Sequence, residues 1–312
     1  MVNRRHIRIK VMQSVYAVLQ SKNDNLVKEE KFLKFSIQKA ADLYVLQLLL
    51  MVEVKNLALE HLEIKKKNFL ATEEDKNPNL KFVNNPVLAA IENSESIKDY
   101  TIKYNLNNWK NDREYVRVIL DAIQESDDYK KYISDRDSSF KEDKSFILNA
   151  FKHIVAPNEK LYDYYESNNL GWVDDFPLVN TLITKSIKQL KNGQTFDLKG
   201  LEIKEDDQEF LIDLFRKTIL HQAEYTAEID DKTPNWDTDR IAEIDLILIK
   251  MAITEFLYFP SIPTKVTINE YIEVAKDYST AKSSYFINGV LDKILKDYKK
   301  SERLNKIGRG LL

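Results

Sequence analysis

The chain of 312 residues is 43% hydrophobic and 31% charged, enough for a sizeable core in one enlarged domain or two ordinary ones, and it holds no cysteine, which excludes disulfides, thiolate nucleophiles and Cys-type zinc sites. Six glycines and seven prolines fall far below the usual combined share of roughly 12%, which excludes a turn-rich, strand-dense fold and predicts an all-α one. The net charge of -3 is uneven: residues 1–10 hold four cations and no acid, residues 296–312 hold six cations and two acids, and the remainder carries -11, so a general nucleic-acid coat is excluded while a localised anion-binding face is not.

In chain order, the spacing of Ile7, Val11, Val15 and Val18 predicts an amphipathic helix over residues 5–20. A long helical stretch follows from about Val27 to Lys67, with Leu43, Leu46, Leu50, Leu57 and Leu59 marking a buried face. Pro78, Pro86 and several Asn make residues 71–86 a loop. Beyond Val87, helices over Tyr115–Gln124, Phe140–His153 and Leu178–Lys191 are punctuated by Pro157, Pro177, Gly193 and Gly200. A helix over Asp206–Ile229 places Phe210, Leu214, Ile219 and Tyr225 on one side. The next, capped by Asp237 or Thr238, buries Ile241, Ile244, Leu248, Met251 and Ala252, stops at Pro260, and has Asp245 interrupting its apolar register. Two more helices are expected over Val266–Tyr278 and Lys282–Lys299. No apolar run approaches the roughly 18 residues of a membrane span. No apolar segment follows the basic start Met1-Val-Asn-Arg-Arg, so a cytoplasmic protein without a secretory signal is expected.

Catalysis finds little support in the pattern. No Gly-rich phosphate loop, Gly-x-Ser-x-Gly or His-Glu-x-x-His occurs, and His6, His61, His153 and His221 are scattered, so neither catalytic residues, a metal site nor a cofactor is expected. The first helix instead offers arginine forks beside free backbone N–H groups, both suited to phosphate. Arg4 and Arg8 share the side of Ile7 and Val11, so they point toward a neighbouring helix end, and an interhelical ion pair stands beside the phosphate reading. The last helix is largely buried through two rows, Phe286, Val290, Ile294 and Ile287, Leu291, Leu295. Its start gathers Lys282, Ser283, Ser284, Tyr285 and Phe286, the mixture that grips an unstacked base and its phosphate, while simple core remains the other reading of Phe286. Gly289, in mid-helix, costs roughly 1 kcal/mol relative to Ala and implies close approach by another helix or a ligand. The tail with Gly308 and Gly310 is expected to be solvated.

Three segments then carry a family resemblance: Val266-Thr-Ile-Asn-Glu-Tyr-Ile-Glu-Val-Ala-Lys, Phe286-Ile-Asn-Gly-Val-Leu-Asp-Lys, and the run from Arg240 to Phe256. They resemble the NusB family of bacterial transcription antitermination factors, and the likeness extends weakly back to about Asp206 and resumes in Arg4-Arg-His-Ile-Arg through Tyr16. The resemblance implies an all-helical fold that binds boxA-type RNA of ribosomal RNA leader transcripts together with ribosomal protein NusE, within the RNA polymerase antitermination complex and with no membrane. Carried onto this chain, it assigns Arg4, Arg5, Arg8, Lys282, Tyr285 and Phe286 to RNA, and Tyr16 and Asp245 to NusE. A structural ion pair stands as the other reading of Asp245. His6 occupies a place where Arg is typical. The expected organisation is 1–22 as the first core helix, 23–204 as a helical insertion of unknown role, 205–300 as the rest of the core and 301–312 as a basic tail. The competing functions are a helical interaction module without RNA binding and the RNA-binding part of an rRNA-modifying system. The latter needs a Gly-rich cofactor domain and a catalytic Cys that this chain lacks.

Overall fold

A computed structural model describes residues 3–21, 25–198, 203–233 and 241–311, and among them every regular element is helical. Two long helices come first, α1 (Arg4–Ser21) and α2 (Leu26–Lys67). Nine follow: α3 (Glu73–Lys76), α4 (Pro86–Glu92), α5 (Glu95–Lys103), α6 (Asn108–Asn111), α7 (Arg113–Glu125), α8 (Asp127–Tyr132), α9 (Phe140–Ala150), α10 (Glu159–Asn168) and α11 (Trp172–Gln189). The last five are α12 (Glu205–Leu220), α13 (Gln222–Lys232), α14 (Glu243–Tyr258), α15 (Thr264–Tyr278) and α16 (Ser283–Lys300). The cap predicted at Asp237 or Thr238 lies outside the described residues.

The chain divides into two compact units, Met1–Ile37 with Ile203–Leu312, and Gln38–Glu202. The first is built around α14, whose sequence is apolar on nearly every side and so can only be stable when surrounded. Helices α1, α12, α13, α15 and α16 surround it. The predicted faces are the buried ones: Ile7, Val11, Val15 and Val18 of α1, Phe210, Leu214 and Ile219 of α12, and Ile287, Val290, Leu291, Ile294 and Leu295 of α16. Both α1 and α15 run antiparallel to α14. Arg8 and Tyr271 meet Glu255 near the α14 C-terminus, whereas Gln20 and Ser279 meet Glu243 and Asp245 at its start. The N-termini of α1 and α15 therefore share one end of the unit, and α16 begins at the other.

Four local expectations change. The helix predicted over Asp206–Ile229 breaks at His221, whose φ of -102° and ψ of 9° separate α12 from α13. The ring stacks on Tyr258 and its Nε2 lies 3.0 Å from the Tyr258 hydroxyl, while the redirected α13 buries Tyr225 and Ile229. In the predicted 71–86 loop, Thr72 and Asp75 form a reciprocal capping box that nucleates α3. Pro177 lies inside α11 instead of punctuating it. The unit boundary also lies further along α2 than residue 23, because Leu33 and Ile37 join the α14 core and Glu30 holds Arg216 in a two-pronged ion pair.

The second unit uses the rest of α2, with Leu43, Leu46 and Leu50 buried but Leu59 exposed. Two indoles bind α2 carbonyls: Trp109 Nε1 donates to Leu46 O at 2.8 Å and Trp172 Nε1 to Lys39 O at 2.7 Å. Contrary to the sequence expectation, α2 contains a window long and apolar enough to cross a membrane by length and composition. That window is 72% buried within the protein, as in a core helix.

Candidate nucleic-acid interface

Of the four N-terminal cations, Arg8 and Lys10 are buried and only Arg4 and Arg5 reach the surface. The helical wheel explains this, since Arg8 falls in the stripe of Ile7 and Val11 that faces α14. Its side chain is 3% exposed, with Nε 2.6 Å and Nη2 2.9 Å from the two oxygens of fully buried Glu255. Tyr271 Oη (2.7 Å) and Thr267 Oγ1 (3.1 Å) donate to the same carboxylate. Burial disfavours the Arg8 charge, but Glu255's charge and hydrogen bonds outweigh it and hold the guanidinium above its ordinary pKa. Burial, then the Glu255 charge, pushes the Tyr271 phenol well up. Of the two readings left open for this helix end, Arg8 takes the interhelical ion pair, and its position does not offer it to a phosphate.

Arg4 and Arg5 are also ion-paired but stay partly exposed. Arg4 Nε lies 3.0 Å from Asp207 at the start of α12, and its guanidinium sits over the Phe210 ring. Arg5 grips Glu270 of α15 through Nε (3.0 Å) and Nη2 (2.9 Å), so Nη1 is not used in that grip. That hydrogen bond, offset partly by burial and helped by Arg8, holds the Glu270 carboxyl below its usual range. Beside them lies an open groove of about 570 Å³ that also includes Pro263, Val266 and Arg309. His6 is buried and contributes no surface cation.

At the far end of the unit, α16 starts as the sequence predicts. Lys282 is exposed, Tyr285 is 81% exposed, and Phe286 is half-buried against the core, which gives its core reading a part and leaves the rest of the ring accessible. Of the two alternatives expected at Gly289 the helix one fails: a Cβ placed there meets nothing within 4 Å, so among the described residues no helix approaches it closely, which leaves the ligand alternative. Gly289 instead opens a gap on the face that displays Tyr285, four residues earlier, and Phe286, three residues earlier.

For the residues assigned to a partner, Tyr16 is exposed on α1, but Asp245 is only 4% exposed. Its Oδ1 accepts from Ser279 Oγ at 2.6 Å, and Ser279 and Thr280 in turn contact Ser283 Oγ at 2.9 and 2.8 Å. Asp245 thus fastens the α15–α16 connection to the start of α14. It interrupts the apolar register to hold that turn.

A scan against family models matches the NusB family over residues 173–296. The transcription antitermination protein NusB of Salinibacter ruber is 47% identical over 104 residues, 33% of this chain and 65% of that protein. The NusB of Chloroherpeton thalassium is 41% identical over 104 residues, 49% of its length, and that of Agathobacter rectalis is 40% identical over 89 residues, 68% of its length. The chain belongs to the NusB family. It spans about 65% of the Salinibacter relative, and no solved structure matches it. The NusB match begins inside α11, upstream of the Asp206 limit read from the sequence, and includes α14, α15 and most of α16 but not α1.

Two residues of this end of the molecule escaped the sequence reading. Glu255 was legible by the rule that singled out Asp245, an acid in an otherwise apolar helix. Arg309 entered only through the charge of the basic tail, because its place beside Arg4 and Arg5 depends on the docking of that tail.

Proposed function

We propose that this protein is a transcription antitermination factor that binds single-stranded, boxA-type RNA jointly with ribosomal protein NusE, recruiting both to the elongating polymerase. The observation that carries the reading is the pairing of exposed cations with an exposed aromatic on one NusB-family unit: Arg4 and Arg5 at one end of α15, and Lys282, Tyr285 and Phe286 just past its other end. A helix of 15 residues is about 22 Å long, so one mononucleotide cannot touch both clusters and an extended strand can. Between them, exposed Lys276 and Asn269 alternate with Glu273 and Asp277, which restricts firm contact to the two ends. Stacking on Tyr285 tolerates any base, so sequence preference has to come from elsewhere, NusE included. Tyr16 is the residue offered to NusE, while Asp245 acts indirectly by shaping the start of α16.

The test is a titration of boxA-type and scrambled RNA into the full chain, with and without NusE. The reading expects tighter binding of the boxA-type strand and a further gain with NusE. Equal binding of both RNAs with no effect of NusE refutes it. RNA left unbound while NusE is captured favours the interaction-module alternative.

A further inference from the structure

The two basic ends of this chain meet in space. After α16, Glu302 adopts φ 54° and Arg303 N donates to Tyr298 O at 3.0 Å, a C-terminal cap that turns the chain back along the unit. Lys306 Nζ then donates to Phe259 O (2.9 Å) and Glu255 O (3.1 Å), carbonyls at the end of α14. Ile307 N donates to Pro260 O at 3.1 Å. Gly308 takes φ 52°, and Gly310 is buried so tightly that a Cβ there would lie 1.8 Å from Pro260 O. The tail expected to be solvated is therefore docked, and it presents exposed Arg309 to the groove that Arg4 and Arg5 line.

Charge accounting at that groove is one-sided. Asp207, Glu255 and Glu270 balance Arg4, Arg8 and Arg5 one for one, and Arg309 makes no ion pair among the described residues. The carboxylates also occupy the Nε–H groups of Arg4 and Arg5, which fixes their forks and leaves further donors for a ligand. Pro263 and Val266 add an apolar wall, and about 570 Å³ is the size of an ordinary ligand site.

We propose that this groove is a phosphate-binding site completed by the C-terminal tail, with Arg309 as the cation whose charge a ligand phosphate neutralises. Resting on the RNA reading above, the ligand is the backbone of the bound strand, and the docked tail is part of the RNA interface. Arg309 is a specific contact of that site, and Gly310 is the residue that lets the tail deliver it.

The experiment titrates a single-stranded oligoribonucleotide, and separately inorganic tripolyphosphate, into the full chain and its Arg309→Ala, Arg309→Lys and Gly310→Ala variants across a salt series. One phosphate contact on a single strand contributes about -0.7 to the slope of log K against log salt, so Arg309→Ala flattens the slope by about 0.7 while Arg309→Lys retains it. Gly310→Ala reproduces the loss with Arg309 present, and unchanged far-UV circular dichroism shows that the helices persist. RNA binding with an unaltered slope in Arg309→Ala overturns the groove and leaves the RNA reading standing. Tripolyphosphate held by the parent and lost in Arg309→Ala, without RNA binding, keeps the groove and overturns the RNA reading. Binding of neither probe overturns both.

Discussion

Replacing Glu255 by Gln tests whether the end of the unit is organised by a buried ion pair. In the native arrangement one carboxylate accepts from Arg8 Nε and Nη2, Tyr271 Oη and Thr267 Oγ1, all between 2.6 and 3.1 Å. A glutamine keeps one acceptor oxygen, turns an N–H₂ toward donors, and leaves the Arg8 charge in a site that is 3% exposed. The nearest remaining acid is Glu270, 3.5 Å from Arg8 Nη1 and already gripped by Arg5. Removing one partner of a buried pair costs about 3–5 kcal/mol. At roughly 2–4 °C per kcal/mol for a unit of this size, the melting transition falls by roughly 6–20 °C. Calorimetry is the suitable assay, because two units need not unfold in one step and only the transition containing α14 should move. Glu273→Gln, at an exposed acid whose shifted pKa comes from surface Lys276, is the control and should change stability little. Arg8→Met with Glu255→Leu should cost less than the two single changes together, since both charges leave the core at once. A loss below about 1 kcal/mol in Glu255→Gln refutes the argument, because Arg8 would then be held loosely enough to leave for a phosphate.

Asp245→Ala should cost about 1–3 kcal/mol by removing the charged acceptor that fastens Ser279 to the start of α14, whereas Asp245→Asn, which still accepts, should leave the melting temperature nearly unchanged; equal losses would argue for an ionic role. Burial lowers the Lys306 ammonium to about 8 from an ordinary value of 10.5. Between those values the unfolded chain holds a proton that the folded one has shed, so this group makes stability rise with pH from about 8 toward 10.5, and Lys306→Met should remove that slope in unfolding curves at pH 7.5 and 9.5. Tyr285→Ala should weaken RNA binding by about 1–3 kcal/mol at every salt concentration with no change in slope or melting temperature, while a changed slope would exclude stacking as its role. Gly289→Ala, entering open space, should stabilise α16 by up to about 1 kcal/mol, and a simultaneous fall in RNA affinity would show that the strand occupies the gap.

The features readable in the sequence are periodic ones. The apolar stripes of α1, α12 and α16 specify which face each helix buries, and the same wheel turns Arg8 inward with Ile7 and Val11. The unreadable features depend on contacts between distant segments. Nothing local to Asp206–Ile229 announces the break at His221, because its partner Tyr258 comes 37 residues later. The tail reads as solvated for the same reason: Gly308 and Gly310 look like loosening residues when Pro260, far back in the chain, is not known to lie against them. Glycine in sequence signals freedom or close approach equally, and here Gly310 serves the second, while Gly289 sits in regular helix beside open space. The candidate site divides the same way: the exposure of Tyr285 at the start of α16 accords with the local composition, and the place of Arg309 beside Arg4 and Arg5 comes only from the fold.

The first compact unit takes its residues from both extremes of the chain, with Gln38–Glu202 interposed. On a ribosome adding about 5–20 residues per second, α1 emerges on the order of ten seconds before α12 and longer before α14. During that interval Ile7, Val11 and Val15 have no native surface to cover them, and Arg8 has no counter-ion. Early synthesis therefore favours the interposed unit, whose contacts close among its own residues, while the end that carries Arg4, Arg5 and Arg8 stays unassembled until α14 has been made. A chain stalled before α14 would display arginines without the carboxylates that orient them, so polyanion binding by such a fragment would be loose and indiscriminate.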